Sequence, residues 1–187
     1  GATVVYDVKC SRELGNLIEK LGLQLVMHKS GHSLMRQKIE QTAAPIGGEF
    51  SAHIFFKDRW FGFDDGMYAA ARILELLTRQ PGSCDKKFKT FPQSFATEEI
   101  RLEVCAQDKF SLMKKILEAA QGMTGNKLLI DGLRLEFEDG WGLVRASNTS
   151  AALLFRFEAV TEQALKRIQS EFKALIRRAD NSIELNI

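Results

Sequence analysis

One stretch of the sequence concentrates the groups that phosphate binding needs. Arg145 is followed by Ala146 and then by four short hydrogen-bonding side chains, at residues 147–150. A guanidinium binds a phosphate through two parallel hydrogen bonds, and short side chains and turn amides supply further donors. The same composition is typical of Asx and ST turns. The residues alone therefore leave a phosphate site and an ordinary turn as open alternatives.

A second group, Glu49, Ser51 and His53, has the spacing i, i+2 and i+4. In an extended segment this spacing places all three side chains on one face. A carboxylate beside a hydroxyl suits vicinal sugar hydroxyls, and an imidazole suits a hydroxyl or a phosphate. The pair Gly47–Gly48 predicts a turn just before the group. A ligand loop is one interpretation, and a solvated strand edge is the other.

Two further polar residues follow predicted strands. Lys9 comes after the first strand, and His32 lies where the second strand gives way to a helix. In open α/β sheets, ligands bind at the carboxyl ends of strands, where helix N-termini attract anions. A surface lysine and a helix-capping histidine are the simpler interpretation of these two residues. Asp64 and Asp65 are interpreted as a helix cap and a dipole complement rather than a metal site.

The elements that must position these groups alternate between strand and helix over residues 1–80. Strands are predicted at 3–8, 24–28 and 53–56, and helices at 11–21, 33–41 and 67–78. Ser11 is the predicted N-cap of the first helix. This order predicts an α/β three-layer domain with helices packed on a largely parallel sheet.

The pattern changes after residue 80. Residues 81–95 contain Pro, Gly and Ser and predict a linker. In residues 96–187, strands are predicted at 100–104, 127–137, 142–146 and 152–158, turns at 131–132 and 139–140, and helices at 110–120 and 163–178. Strands joined by hairpins, together with two helices, predict a small α+β domain.

The composition argues against several partners. The chain has 26 Lys+Arg against 24 Asp+Glu and a net charge of +2, without a long basic run, so neither nucleic acid nor a membrane is expected as a partner. The 3 cysteines are widely spaced, which favours reduced thiols in the cytoplasm over a disulfide framework. A chain without an initiator Met that enters a strand at Thr3 is expected to be a piece of a longer protein.

Five segments together resemble the α-D-phosphohexomutases, specifically their bacterial phosphomannomutase/phosphoglucomutase branch. In chain order they are Asp7-Val8-Lys9-Cys10-Ser11, Lys29-Ser30-Gly31-His32-Ser33, Gly48-Glu49-Phe50-Ser51-Ala52-His53, Trp60-Phe61-Gly62-Phe63-Asp64-Asp65-Gly66 and Gly142-Leu143-Val144-Arg145-Ala146-Ser147-Asn148-Thr149. The resemblance covers essentially the whole chain and matches the third and fourth of the family's four domains. The Arg-Ala-Ser-Asn-Thr form is similar to the mannose/glucose branch, whereas phosphoglucosamine mutases typically have Arg-Pro-Ser-Gly-Thr.

The resemblance implies substrate-binding roles for three groups of residues: a sugar-recognition loop, polar residues of the cleft, and a loop for the non-transferred phosphate. In that order the groups are Glu49, Ser51 and His53; Lys9 and His32; and Arg145, Ser147, Asn148 and Thr149. No residue of this chain is implied to be catalytic.

The family's activity implies that of the parent enzyme. It interconverts the 1- and 6-phosphates of mannose or glucose through a phosphoserine and a bisphosphorylated sugar. The serine loop and the Asp-rich Mg²⁺ loop belong to the family's first two domains, so the resemblance implies no metal site in this chain. The implied partners are the hexose phosphates and the N-terminal half of the same enzyme. A stand-alone sugar-phosphate-binding module and a fragment of a phosphoglucosamine mutase are the alternatives.

Overall fold

The chain divides into two compact units, unit 1 from Gly1 to Gln93 and unit 2 from Ser94 to Ile187. The structure, a computed structural model, describes residues 1–79, 82–105, 107–185 and 187. The boundary predicted between residues 80 and 81 lies outside the described residues. Within the predicted linker, Cys84–Phe88 form a short helix that belongs to unit 1. In the described part of the chain, no helix is long and apolar enough to cross a membrane.

Unit 1 is built on a four-stranded sheet. Its strands are β1 (Thr3–Asp7), β2 (Gln24–His28), β3 (Ile46–Gly48) and β4 (Ile54–Phe56). Their order across the sheet is β2-β1-β3-β4, with β1 parallel to both β2 and β3, and β4 antiparallel to β3. The carboxyl ends of β1, β2 and β3 therefore lie along one edge of the sheet.

The helices of unit 1 lie on both faces of this sheet. They are α1 (Arg12–Lys20), α2 (His32–Thr42), α3 (Gly66–Arg79) and α4 (Cys84–Phe88). Met35 and Ile39 of α2 pack in a buried cluster that Val26 of β2 also contacts. Leu25 directly precedes Val26 in β2, so its side chain faces the opposite side of the sheet. A Cβ added to Gly15 of α1 would lie 3.8 Å from Leu25 Cδ1, which places α1 on that opposite side. Helices on both faces confirm the predicted three-layer α/β architecture.

The predicted helix start at Ser11 is confirmed. Its hydroxyl accepts a hydrogen bond from the backbone N–H of Glu13 at 3.1 Å, which satisfies one of the donors that a helix N-terminus leaves unpaired. This cap fixes the turn between β1 and α1, where Lys9 lies.

The prediction of a turn at Gly47–Gly48 was wrong, because both residues belong to strand β3. A Cβ at Gly47 would lie 2.5 Å from Ile39 Cδ1 and 3.1 Å from the carbonyl oxygen of Val5. The glycine is needed for the close packing of α2 on the sheet rather than for a bend. A strand continuing through these residues moves the chain reversal to residues 49–53.

Unit 2 has an antiparallel sheet and two main helices. Its elements are β5 (Phe95–Ala96), β6 (Ile100–Glu103), α5 (Lys109–Ala119), a 3₁₀ turn (Ala120–Gly122), β7 (Asn126–Leu128), β8 (Leu133–Phe137), β9 (Gly140–Ala146), β10 (Ala152–Ala159) and α6 (Glu162–Ala179). The strand order is β5-β10-β9-β8-β7, and β6 also pairs with β10. Apolar residues of α5 and α6 share one core with β8, β9 and β10. The predicted small α+β domain is confirmed, although the two-residue strand β5 and the 3₁₀ turn were not predicted.

Candidate functional site

Three polar loops of unit 1 meet at the edge formed by the carboxyl ends of its parallel strands. The first follows β1 and carries Lys9, the second joins β2 to α2 and precedes His32, and the third joins β3 to β4 and spans residues 49–53. This is the position at which open α/β sheets bind ligands. The β1–α1 turn, the β2–α2 loop and the β3–β4 turn thus place the predicted residues of unit 1 along one edge.

Asp7 at the end of β1 connects the three loops. Its side chain is 0% exposed. One carboxylate oxygen accepts hydrogen bonds from Cys10 Sγ at 3.1 Å and from the Phe50 backbone N–H at 3.1 Å. The other oxygen accepts from Ser30 Oγ at 2.5 Å. Asp7 had no predicted role, although a carboxylate at the end of an apolar strand was a signal for one.

The β3–β4 turn is not the extended segment that the spacing of Glu49, Ser51 and His53 predicted. The Glu49 N–H donates to the His53 carbonyl at 2.9 Å, and the Ala52 N–H donates to the Glu49 carbonyl at 3.0 Å. Ala52 has φ +67°, in the left-handed region. The pairing of Gly48 with Ile54 forces the chain to reverse between them, so alternation of faces does not apply here.

Within this turn, Glu49 and Ser51 are held together. Glu49 is 9% exposed, and its Oε1 accepts a hydrogen bond from the backbone N–H of Gly31, the N-cap residue of α2. Its Oε2 accepts from Ser51 Oγ at 3.4 Å. A carboxylate at a helix N-terminus is stabilised by the dipole and the unpaired N–H groups. The pair presents an acceptor and a hydroxyl side by side, as binding to sugar hydroxyls requires.

His53 is oriented by a different residue, Asp64. His53 Nδ1 lies 2.6 Å from Asp64 Oδ2. An ionised carboxylate only accepts hydrogen bonds, so Nδ1 donates and Nε2 of a neutral ring becomes the acceptor nitrogen. Asp64 was predicted to serve the start of a helix, and its carboxylate also binds His53. Asp65 does cap α3, since it accepts from the Tyr68 N–H at 2.9 Å.

Lys9 lies beside the β3–β4 turn, and His32 is adjacent in sequence to a residue that binds this turn. Lys9 Nζ is 5.9 Å from the ring centroid of Phe50, the residue after Glu49. His32 is the exposed first residue of α2 and directly follows Gly31, the donor to Glu49. The five predicted residues of unit 1 therefore lie on connected loops, although His53 is tied to Asp64 rather than to Glu49.

In unit 2, residues 147–150 form a compact loop between β9 and β10. The Ser147 N–H donates to the Ala152 carbonyl at 2.9 Å, which closes the loop at its base. Ser147 Oγ accepts from Ser150 Oγ at 2.7 Å and from the Thr149 N–H at 3.4 Å. Ser147 is buried, while Asn148 and Thr149 are exposed. The β9–β10 loop therefore exposes polar groups from a fixed base.

Arg145 enters this loop from β9 and is 3% exposed. Its Nε donates to Asp131 Oδ2 at 2.8 Å. Its Nη2 is buried and has no hydrogen-bond partner among the residues that the structure describes. Leaving a buried donor unsatisfied costs about 1–3 kcal/mol, and more for a charged group. Such an N–H, on a strand that leads directly into the polar loop, is a candidate donor to a ligand anion.

Lys109, at the start of α5, was not identified from the sequence. Its ammonium donates to the carbonyl oxygens of Ser147 and Ser150 at 2.7 and 3.0 Å. Nothing in the local sequence distinguished it from the other lysines of a helix that carries Lys114 and Lys115.

Among the described residues, no group of three or more His, Cys, Asp or Glu side chains is close enough together to hold a metal ion. The paired carboxylates Asp64 and Asp65 are instead bound to His53 and to the start of α3.

Comparison with known proteins identifies both units. Residues 1–95 match the family model described as phosphoglucomutase/phosphomannomutase, alpha/beta/alpha domain III, and residues 99–175 match the C-terminal domain of the same family. A phosphomannomutase/phosphoglucomutase of Pseudomonas aeruginosa PAO1 is 45% identical over 183 residues, which are 98% of this chain and 40% of the relative. A phosphoglucomutase of Neisseria meningitidis serogroup A is 42% identical over 185 residues, again 98% of this chain and 40% of the relative.

A solved structure supports the same assignment. A phosphoglucomutase/phosphomannomutase family protein from Burkholderia thailandensis superposes with a TM-score of 0.92 at 40% identity, over 100% of this chain and 40% of that chain. The chain thus spans about 40% of the length of the relatives it matches. With both units matched in order, the chain belongs to the phosphoglucomutase/phosphomannomutase family.

Proposed function

We propose that this chain is the substrate-binding C-terminal half of a phosphomannomutase/phosphoglucomutase. The full-length enzyme interconverts mannose or glucose 1-phosphate with the corresponding 6-phosphate, through a phosphoserine and a bisphosphorylated sugar. The observation that carries the proposal is Arg145: among the described residues its Nη2 is buried without a hydrogen-bond partner, and the residue leads directly into the loop of short polar side chains at 147–150. Phosphoryl transfer depends mainly on positioning and on electrostatic stabilisation, which such a loop supplies.

Unit 2 is proposed to bind the phosphate that is not being transferred. Asp131 accepts from Nε of Arg145 and so fixes the plane of the guanidinium, which leaves Nη2 to donate to a phosphate oxygen. Ser147, Asn148 and Thr149 add hydroxyl, amide and backbone donors around the same oxygen atoms. The phosphate is thereby fixed, and the sugar is held by one end.

Unit 1 is proposed to bind the sugar ring. The carboxylate of Glu49 accepts hydrogen bonds from sugar hydroxyls, and Ser51 can donate to or accept from a neighbouring hydroxyl. His53 presents Nε2, with its tautomer set by Asp64. Lys9 contributes a cation and His32 a second imidazole at the same edge of the sheet. These contacts orient the hydroxyl that receives the phosphoryl group.

The remaining components are proposed to lie in the N-terminal half of the enzyme, following the resemblance to the family. These are the phosphoserine, which carries the phosphoryl group, and the Mg²⁺ that supports its transfer. The N-terminal half is accordingly the proposed protein partner of this chain, and the cytoplasm its proposed location.

Kinetics of the full-length enzyme test the phosphate contact. Replacing Arg145 with Ala should raise the KM for glucose 1-phosphate by about tenfold to a hundredfold, because a charge-assisted contact of about 1.5–3 kcal/mol is lost. Arg177→Ala, an exposed arginine near the end of α6, is the matched control and should leave KM unchanged. An unchanged KM in a folded Arg145→Ala enzyme would refute the phosphate contact.

The sugar contact is tested by Glu49→Gln in the same enzyme. The substitution keeps the shape of the side chain but removes the charged acceptor, so kcat/KM should fall about tenfold with the fold intact. Glu19→Gln on the exposed face of α1 is the control. Equal kcat/KM values for Glu49→Gln and wild type would place Glu49 outside the site. Turnover of glucosamine 6-phosphate above that of the hexose phosphates would favour a phosphoglucosamine mutase.

The 187-residue chain itself provides a further test. It should show no mutase activity on mannose 1-phosphate, even with Mg²⁺ and a bisphosphate activator, because it lacks the proposed phosphoryl carrier. Turnover by the chain purified free of host mutase would overturn the assignment to a half-enzyme.

A further inference from the structure

A lysine outside the β9–β10 loop donates hydrogen bonds to the loop backbone, and the proposed function does not use it. Lys109 is the first residue of α5 and is 9% exposed. Its Nζ donates to the Ser147 carbonyl oxygen at 2.7 Å and to the Ser150 carbonyl oxygen at 3.0 Å. One ammonium therefore bridges the two ends of the loop and sets the distance between them.

The charge of Lys109 differs from that of Arg145 in its recorded partners. Arg145 has Asp131 Oδ2 at 2.8 Å from its Nε, so the two charges largely cancel. In the described part of the chain, by contrast, Lys109 forms no ion pair with a carboxylate within 4.0 Å. Its recorded partners are neutral: the two carbonyls and the Phe110 ring, whose centroid lies 5.0 Å from Nζ. A buried ammonium held by neutral groups pays a desolvation cost that a nearby anion would offset.

We propose that Lys109 is a positioning residue of the β9–β10 loop and supplies the net positive charge that the loop offers to the phosphate group of its ligand. The inference rests on the proposed function, in which this loop binds a sugar phosphate. The two hydrogen bonds from Lys109 Nζ fix the loop before the ligand arrives, so the loop loses less conformational freedom on binding. Its charge attracts the phosphate dianion through an environment shielded from water.

The experiment is an NMR titration of the isotopically labelled 187-residue chain with glucose 6-phosphate, following the backbone amides of residues 147–150. Wild type is compared with Lys109→Arg, which keeps the charge and the donors, and with Lys109→Gln and Lys109→Met, which remove the charge. Lys114→Met is the matched control, since Lys114 lies on the same helix with its side chain 79% exposed. Each titration is repeated at two salt concentrations.

The expected result is a dissociation constant about tenfold higher for Lys109→Gln and Lys109→Met, and within about threefold of wild type for Lys109→Arg. Both charge-removing variants should also show a weaker dependence of affinity on salt than wild type. A lysine with a purely structural role would change the melting temperature without changing the salt dependence. If Lys109→Met does not fold, Lys109→Gln decides the outcome.

The outcomes separate the inference from the proposed function. In one outcome, glucose 6-phosphate shifts the loop amides, Arg145→Ala abolishes that shift, and the charge-removing variants of Lys109 bind as tightly as wild type. The proposed role of Lys109 is then wrong, and the proposed function stands. If the loop amides of the wild type do not respond at all, the proposed phosphate site is wrong and the role of Lys109 falls with it.

Discussion

Removing the carboxylate of Asp7 should loosen all three loops of unit 1 at once. The carboxylate is 0% exposed and accepts hydrogen bonds from Cys10 Sγ, Ser30 Oγ and the Phe50 N–H. In Asp7→Ala these donors lose their acceptor, and each buried donor so affected costs about 1–3 kcal/mol. The thiol is a weak donor, so the other two bonds dominate and the expected loss of stability is about 2–6 kcal/mol.

The Asp7→Asn variant separates charge from shape. Its amide oxygen can keep the Phe50 N–H, and its NH₂ can donate to Ser30 Oγ, because a hydroxyl also accepts. Only the charge assistance is then lost, so the expected destabilisation is about 1–2 kcal/mol. The control is Asp85→Asn, an exposed acid that pairs with Lys89 at 2.8 Å and should change stability by less than about 0.5 kcal/mol.

Urea unfolding followed by NMR peak intensities measures these differences, with unit 1 and unit 2 reported by separate resonances. Unit 1 of Asp7→Ala should unfold at lower urea than unit 1 of Asp7→Asn, and the Phe50 amide should exchange faster in both variants than in wild type. The stabilising role of the Asp7 carboxylate is contradicted if Asp7→Ala lowers the free energy of unfolding by less than about 1 kcal/mol, or by no more than Asp7→Asn does.

Two further predictions concern a glycine of unit 2 and an ion pair of unit 1. In unit 2, Gly132 has φ +79°, and a Cβ there would lie 2.3 Å from the Val144 carbonyl oxygen, so Gly132→Ala should cost about 3 kcal/mol. Thermal unfolding against Gly122→Ala, where a Cβ meets nothing within 4 Å, checks this; equal melting temperatures would contradict it. In unit 1, a hydrogen bond from Arg59 holds the pKa of Glu75 below its ordinary value of 4.5. Its stabilising contribution is therefore present above that value and is lost as the pH falls through the lowered pKa. The melting temperature of unit 1 should drop less between about pH 6 and pH 3 in Glu75→Gln than in wild type, and an equal drop would refute this.

The sequence by itself determined the elements whose signals are local. Apolar periodicity placed α1, α2, α5 and α6 close to their observed ends, and Ser11 marked the first helix start. The loop at residues 147–150 was recognisable because an arginine and four short polar residues are consecutive in the chain. Such features depend on neighbours within a few residues, and the periods of helix and strand record those neighbours directly.

Tertiary structure alone decided which polar groups meet. Asp7 joins residues 23 and 43 positions away, and Lys109 holds carbonyls 38 and 41 positions away. Gly47 was predicted to form a turn, but the position requires glycine because the side chain of Ile39 packs against it. That contact joins two separate elements and leaves no signal in the local sequence. Hydrogen bonds and close contacts between distant segments depend on the register in which the hydrophobic core holds the strands. No local pattern of residue types encodes which partner each will find.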